Sequence, residues 1–526
     1  MLHSEISFEE IQLSSQLVRD LIAGKESATQ FIDLPFQIEH IPDQIAKKEF
    51  SADKRRILSE VLKSQYNGSL HSAVKTNIDK LQESNTYTVT TGHQLNLLSG
   101  PLYSIYKIAQ VISLSRNLNE QYPDYHFVPV FWMASEDHDY EEINHINLFG
   151  KTIRWERETS SKAVGRLDMA GCEDFFAQVE ERYQNPEMKE KVLKLMDPYK
   201  VAKNMSEATR GFIQQLFDEY GLAIIDGDHR DLKQQMIPAF QKEVREGVTK
   251  NAVTQSNSEL ESSSYHQQVY VRECNLFHLD ESGIRTRIDK EGERFKFAEY
   301  DLDTEELCQM IEGQPEQFSP NALLRPLFQE TILPNLVYTG GGGEIAYWLQ
   351  LKRMFEAFGV TYPMVRVRDS YILLNEKDLL LMKERGLSFA GLKEDMGVIE
   401  KELVLEEMGS ELDLAEEKAL FTQLKDSLKE RAVRIESGLT NSVEAELTKM
   451  EKFLGNIENK MLKAEKRKHE VSLKKVEKLR EKIYPNRGFQ ERFENVIPYL
   501  LRDSGLIKDL VNVKLSNNPI IKILKN

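Results

Sequence analysis

Cysteine is scarce in this chain of 526 residues. Its three copies, Cys172, Cys274 and Cys308, are scattered and odd in number, with no CxxC or Cys/His spacing. That excludes a zinc site and any disulfide framework using all three, and points to reduced thiols in a cytoplasmic core. Glycine (27) and proline (16) are few, which rules out collagen-like and low-complexity chains. Positive charge is in deficit. Lys and Arg number 69 against 85 Asp and Glu, a net charge of −16. A field of that sign repels polyphosphate, so a general binder of nucleic acid or anionic membrane is not expected. No apolar run reaches the roughly 18 residues of a membrane helix. The opening MLHSEISFEE lacks the basic and apolar regions of a signal peptide. No GxSxG, catalytic-cysteine, Walker or GxGxxG signature occurs.

What is present reads as an α/β chain of about three or four folding units, at about 150 residues each. The first ninety residues read as helical, most clearly 51–66. A β-branched run at 87–91 then ends in Gly92-His93-Gln94, and a helical stretch covers 102–118. The run FVPVFWMA at 127–134 is almost wholly apolar, as in a strand covered on both faces of a parallel sheet. Strand, polar loop, helix recurs at 222–225 before Asp226-Gly227-Asp228-His229, and at 336–338 before Gly340–Gly343. Residues 360–367 supply a further strand. This is the rhythm of a doubly wound sheet. Alternating stretches at 151–170 and 274–302 read as hairpin-like insertions.

Beyond about residue 371 the texture changes. Leu414, Phe421, Leu428 and Ile435 stand seven apart, while Val443, Leu447, Met450, Leu454, Ile457, Met461 and Ala464 alternate four and three. Gly438 interrupts the two series, and Asn441 with Glu444 suggests a capping box. An antiparallel helical hairpin follows. Residues 391–418 carry ten acids and three bases, and 451–482 carry eleven bases and six acids, so opposed charge favours pairing. The seam also offers a dimer surface.

Three loops follow strands of the same sheet, where ligands of such folds bind. The first holds Gly92, His93, Gln94 and Asn96, a turn with several donors. The second runs Ser135-Glu136-Asp137-His138-Asp139 and on to Glu142 and His145. Packed carboxylates raise one another's pKa, and a neighbouring histidine relays a proton. On a helix, His138, Glu142 and His145 share one face, so a metal-dependent hydrolase is the alternative reading. The third is Gly340-Gly341-Gly342-Gly343-Glu344, whose amides before a helix beginning at Glu344 suit a carboxylate or phosphate. Arg325, Arg366 and Arg368 lie near it in sequence. A non-catalytic coiled-coil scaffold is a further alternative.

The stretches TGHQLNLLSGPLYSIYK (91–107), VPVFWMASEDHDYEEINH (128–145), SPNALLRPLFQETILPNLVYTGGGGEIAYW (319–348) and NRGFQERFEN (486–495) resemble the bacillithiol biosynthesis cysteine-adding enzymes, the cysteine ligase family BshC. The resemblance spans essentially the whole chain. It implies a Rossmann-like parallel-sheet core, similar to class I aminoacyl-tRNA synthetases, with connecting-peptide insertions and a C-terminal antiparallel coiled coil that forms a homodimer. The implied partition is N-terminal helices and first core strands in 1–150, an insertion in 151–205 and core again in 206–240. A second insertion fills 241–330, the core closes in 331–375, the coiled coil spans 376–484, and 485–526 returns to the core.

The implied reaction joins L-cysteine to the amine of glucosaminyl-malate with ATP, and no metal is assigned. Glu136 or Asp137 with His138 would then accept the amine proton. Gly341–Gly343, with Arg325 or Arg368, would hold a malyl carboxylate or a phosphate. Gln94, Asn96 and Tyr347 would contact the sugar, with Gly92, His93, Ser135 and Glu344 beside them. Two departures stand out. The family's TGQQ carries glutamine where His93 stands. No clear HxGH and KMSKS pair occurs, and KMLKAEK at 460–466 lies inside the coiled coil.

Overall fold

The computed structural model describes residues 2–66, 68, 70–158, 161–408 and 414–525. It divides into two compact units, Met1–Leu373 with Glu491–Asn526, and Leu374–Gln490.

The first unit is built on five parallel strands: β1 (Thr86–His93), β2 (His126–Met133), β3 (Ala223–Asp226), β4 (Asn335–Gly340) and β5 (Met364–Val367). Their order is β5-β4-β1-β2-β3. The chain winds outward in one direction from β1 to β3, then returns to the other side of β1 for β4 and β5. The order therefore reverses between β1 and β4, and the crevice beyond their carboxyl ends is where such sheets bind ligands.

Strand β1 is unusual in being rich in threonine yet buried. Its hydroxyls are satisfied in part by β4: Thr90 Oγ1 donates to Asn335 Oδ1 at 2.8 Å, and Thr91 Oγ1 to the Thr339 carbonyl at 2.8 Å, while Thr86 Oγ1 has no partner among the described residues. Helix α1 (Leu102–Gln121) packs on β1, β2 and β4, and its other side is covered by Leu506–Val511 from the chain's end. Double coverage explains why its apolar residues wander round the helix instead of forming one stripe.

Of three sequence expectations, two need correction. The chain does not open with a helix: Leu2–Ile6 is a strand paired antiparallel with Ile521–Lys525. Alternating residues predicted a hairpin over 151–170, but only Lys151–Arg154 is extended, and it pairs backwards with His145–Leu148. Val164–Arg166 forms a short turn instead, and residues 159–160 of that stretch lie outside the described residues. The segment 274–302 does form short antiparallel strands: Leu276–Leu279 lies between Arg285–Arg287 and Phe318–Pro320.

In the second unit, α3 (Ala415–Ile435) and α4 (Thr440–Lys468) form an antiparallel hairpin. The ion pairs Lys418–Glu458 (2.9 Å), Lys425–Glu451 (2.9 Å) and Lys429–Glu444 fix its register. Charge along the hairpin thus runs opposite to expectation, with lysines on the first helix and glutamates on the second. The acid–base complementarity read from 391–418 and 451–482 appears in Glu400–Lys466 (2.7 Å), while residues 409–413 lie outside the described residues. No capping box forms at Asn441, because the helix already starts at Thr440 and Glu444 is taken by Lys429. Leu447 is buried in the seam, but Ile435, Met450, Ile457 and Met461 remain exposed, as do Leu420 (65%) and Phe453 (67%). Two helices alone cannot cover both apolar series.

Candidate active site

The carboxyl ends of β1, β2 and β4 open into a cavity of about 460 Å3, within the usual range for small-molecule sites. Gly92, His93 and Gln94 enter from β1, and Ser135, Glu136, Asp137 and His138 from the loop after β2. Tyr338, Glu344 and Tyr347 come from β4 and from α2 (Gly342–Trp348), which starts two residues earlier than the sequence suggested. Phe277, Arg285, Asn321 and Arg325 come from the segment between β3 and β4 and close the far wall.

The SEDHD loop is held by its surroundings. The Val164 amide donates to the Asp137 carbonyl and the Gly165 amide to the Ser135 carbonyl at 2.8 Å. A Cβ at Gly165 would lie 2.5 Å from that of Ser135, so only glycine lets the two segments approach. Ser135 Oγ donates to Asp226 at the end of β3.

The loop's ionisable groups have distinct environments. Asp137 accepts from Gln94 Nε2 (2.7 Å), the His138 amide (2.8 Å) and Arg285 Nη1 (3.2 Å). Burial would raise its pKa, but the Arg285 charge and these hydrogen bonds hold it below the ordinary value. Glu136 is buried and forms an ion pair with Lys233 at 2.8 Å, which Asp228 shares from the other side at 2.8 Å. Burial raises Glu136 despite Lys233, whereas Lys233 and Arg166 overcome burial at Asp228 and keep it ionised. His138 is lowered by burial and then by Arg285. Arg285 Nη1 donates to His138 Nδ1 at 3.0 Å, and a guanidinium cannot accept, so the neutral ring carries its proton on Nε2.

Arg325 lies across the cavity. It donates to the Tyr347 hydroxyl at 2.9 Å and to Gln329 Oε1 at 3.3 Å, and has no carboxylate partner among the described residues. Glu344 is engaged by Lys107 (2.5 Å) and the Tyr338 hydroxyl (3.1 Å).

Some expected residues stand elsewhere. Gly341–Gly343 lie beside the cavity, behind Glu344 and Tyr347, and do not line it. Arg368 makes a bidentate pair with Glu491 (2.8 and 2.6 Å) and sits over the Tyr103 ring, while Arg366 is buried against Gln110. Asn96 belongs to a neighbouring space and donates to the Glu142 carbonyl at 2.6 Å.

The metal alternative is overturned. The helix after the loop is only Tyr140–Ile143, so His138 precedes it and His145 lies in a strand. The three side chains share no helical face, and no metal-ligating cluster exists among the described residues.

Sequence reasoning missed Arg285, Lys233, Tyr103, Phe277 and Asn321. All but Tyr103 stand far along the chain from the loop they serve, so no local spacing betrays them. Only the Asp226-Gly227-Asp228 strand end gave a signal; a Cβ at Gly227 would fall 2.7 Å from the Trp132 ring.

Comparison with known proteins agrees with this architecture. Residues 1–369 match "Bacillithiol biosynthesis BshC, N-terminal Rossmann-like domain", and 372–525 match the C-terminal coiled-coil domain of the same family. A Flavobacterium psychrophilum protein named "Putative cysteine ligase BshC" is 38% identical over 93% of this chain and 93% of its own length. A like-named Flavobacterium johnsoniae protein is 37% identical over 97% of each, and one from Bacillus cereus 27% identical over 94% of this chain and 95% of its own. A solved Campylobacter jejuni structure described as a "putative arginyl t-RNA synthetase" covers 89% of this chain and all of its own at 10% identity, with a TM-score of 0.22, too low to carry an argument. By its fold, its two domain matches and its relatives, the chain belongs to the BshC family of bacillithiol biosynthesis.

Proposed function

We propose that this chain is a cysteine ligase that joins L-cysteine to the glucosamine amine of glucosaminyl-malate, giving bacillithiol. One observation supports the reading: a single cavity is lined both by Arg325, which has no carboxylate partner among the described residues, and by a carboxylate–histidine loop. An anionic substrate bearing an amine has a complement at each end.

Amide formation needs a neutral amine and an activated carboxyl. The amine nitrogen attacks the carbonyl carbon, the C–N bond forms as the bond to the activating oxygen breaks, and the amine loses a proton. Glu136 is the acceptor, since burial raises its pKa above that of an ordinary carboxylate. Asp137, kept ionised, orients the amine rather than deprotonating it. His138 donates from Nε2 to the carbonyl oxygen, where negative charge develops. Arg325 and Tyr347 hold the malyl carboxylate, and Gln94 contacts the sugar.

ATP supplies the leaving group that activates the carboxyl of cysteine. The glycine turn suits a phosphate: a Cβ at Gly343 would meet nothing within 4 Å, and buried Arg368 Nε, without a hydrogen-bond partner, stands 3.8 Å from that of Gly341. The exposed apolar residues of α3 and α4 support a homodimer, and three buried thiols with raised pKa suit the cytoplasm.

The test mixes purified protein, L-cysteine, glucosaminyl-malate and ATP and follows conjugate and nucleotide by mass spectrometry. Conjugate should form with wild type. In Asp137→Asn and His138→Ala it should fall about 10²–10⁴-fold, with circular dichroism unchanged. Wild-type activity in both variants would remove the loop from the chemistry.

A further inference from the structure

A second cavity of about 190 Å3 adjoins the first and lies in the same compact unit. Tyr103 and Glu142 line both spaces and so form the partition between them. At roughly 30 Å3 per water, the smaller space equals about six waters. That is room for a small amino acid.

Its polar lining comes from Asn96, Tyr103, Glu142, His145 and Asn147. Asn96 is 5% exposed, and its Nδ2 is committed to the Glu142 carbonyl, but Oδ1 has no hydrogen-bond partner. A buried acceptor without a donor is costly, and a ligand N–H would relieve it. The Glu142 carboxylate stands on the same wall, with its main chain fixed by Asn96, and no lysine or arginine lines the space. His145 and Asn147 also line it, but the His145 Nδ1 is paired with Asn144 Oδ1 at 3.1 Å and Asn147 Nδ2 donates to the Phe493 carbonyl at 3.2 Å; the apolar part comes from Pro101, Ile146 and Phe493. An ammonium beside a short apolar side chain matches this lining, and a lone anion does not.

We infer that this cavity is the amino-acid subsite of the ligase proposed above, holding the α-ammonium of L-cysteine on Glu142 and Asn96 Oδ1. The CH₂SH group lies against Ile146 and Phe493. The carboxyl group passes the Tyr103–Glu142 partition into the larger cavity, where the amine of the second substrate meets it. The inference rests on the ligase reading for the identity of the amino acid, and on the cavity's lining for its chemistry.

Steady-state kinetics of the full-length chain, varying L-cysteine and glucosaminyl-malate separately, test it. Glu142→Gln and Phe493→Trp should each raise KM for L-cysteine at least tenfold and leave KM for glucosaminyl-malate within twofold. An unchanged KM for L-cysteine in both, or a rise only for glucosaminyl-malate, overturns the assignment while the ligase reading stands. Calorimetric titration with L-cysteine alone separates the two ideas. If wild type forms no conjugate, the ligase reading fails, yet L-cysteine binding that is lost in Glu142→Gln still supports the subsite. Equal binding by wild type and Glu142→Gln sinks it. As a competitor, cysteamine should displace L-cysteine and 3-mercaptopropionate, which lacks the ammonium, should not; the reverse order overturns the proposal.

Discussion

His93 shows how far one side chain's environment departs from its identity. Its ring lies at the end of β1 against Tyr103, at 5.0 Å between centroids, and its Nε2 is buried without a partner. Burial, then the charges of Lys107 and Arg368, push its pKa well below the ordinary imidazole value, and His138 is lowered in the same direction. Below about pH 6.5 the unfolded chain binds protons that the folded chain refuses. Stability is therefore fully present above that pH and lost as pH falls towards the folded values. Urea midpoints measured between pH 7.5 and 5 should fall, and His93→Gln should flatten the fall. An equally steep fall in His93→Gln would show that His93 is not the group responsible.

At the scale of elements, the chain's closing segment stabilises the site from behind. Asn495 Nδ2 donates to the carbonyls of Leu98 (3.0 Å) and Gly100 (2.7 Å), and Glu491 pairs with Arg368 beside β5. Arg368 and Glu491 are both nearly inaccessible, so removing one charge strands the other. Glu491→Gln should cost about 3–5 kcal/mol in urea unfolding, while the double variant Arg368→Met/Glu491→Met should recover most of that loss. A double variant no more stable than the single one would mean that packing, not the stranded charge, sets the cost. The motif NRGFQERFEN was visible in the sequence as a resemblance, but the partners of its Glu491 and Asn495 lie more than a hundred residues away. The order of the strands was likewise legible only as a rhythm. Apolar or β-branched runs ended by polar loops mark β1 to β4, yet nothing local says that β4 lies beside β1 rather than β3.

For the whole molecule, the net charge of −16 and the absence among the described residues of any helix able to cross a membrane leave the exposed apolar side chains of the hairpin to explain. They include Leu420, Leu424, Met450 and Phe453. Phe453→Glu with Leu420→Glu should turn the proposed dimer into a monomer in analytical ultracentrifugation, with helicity retained. A monomeric wild type, or an intact dimer in the double variant, would place the assembly surface elsewhere.

The sequence alone determined what is local: where strands end in polar loops, where heptads begin, and which loops carry carboxylate, imidazole or glycine. It also carried the family resemblance, because four long stretches keep their order and wording. Only the tertiary structure decided the rest. Whether Glu136 meets Lys233, whether His138 faces Arg285, and whether Glu142 belongs to one cavity or two depend on segments joined across the sheet. Charge and burial set a side chain's chemistry, and both come from neighbours in space that the order of residues does not name.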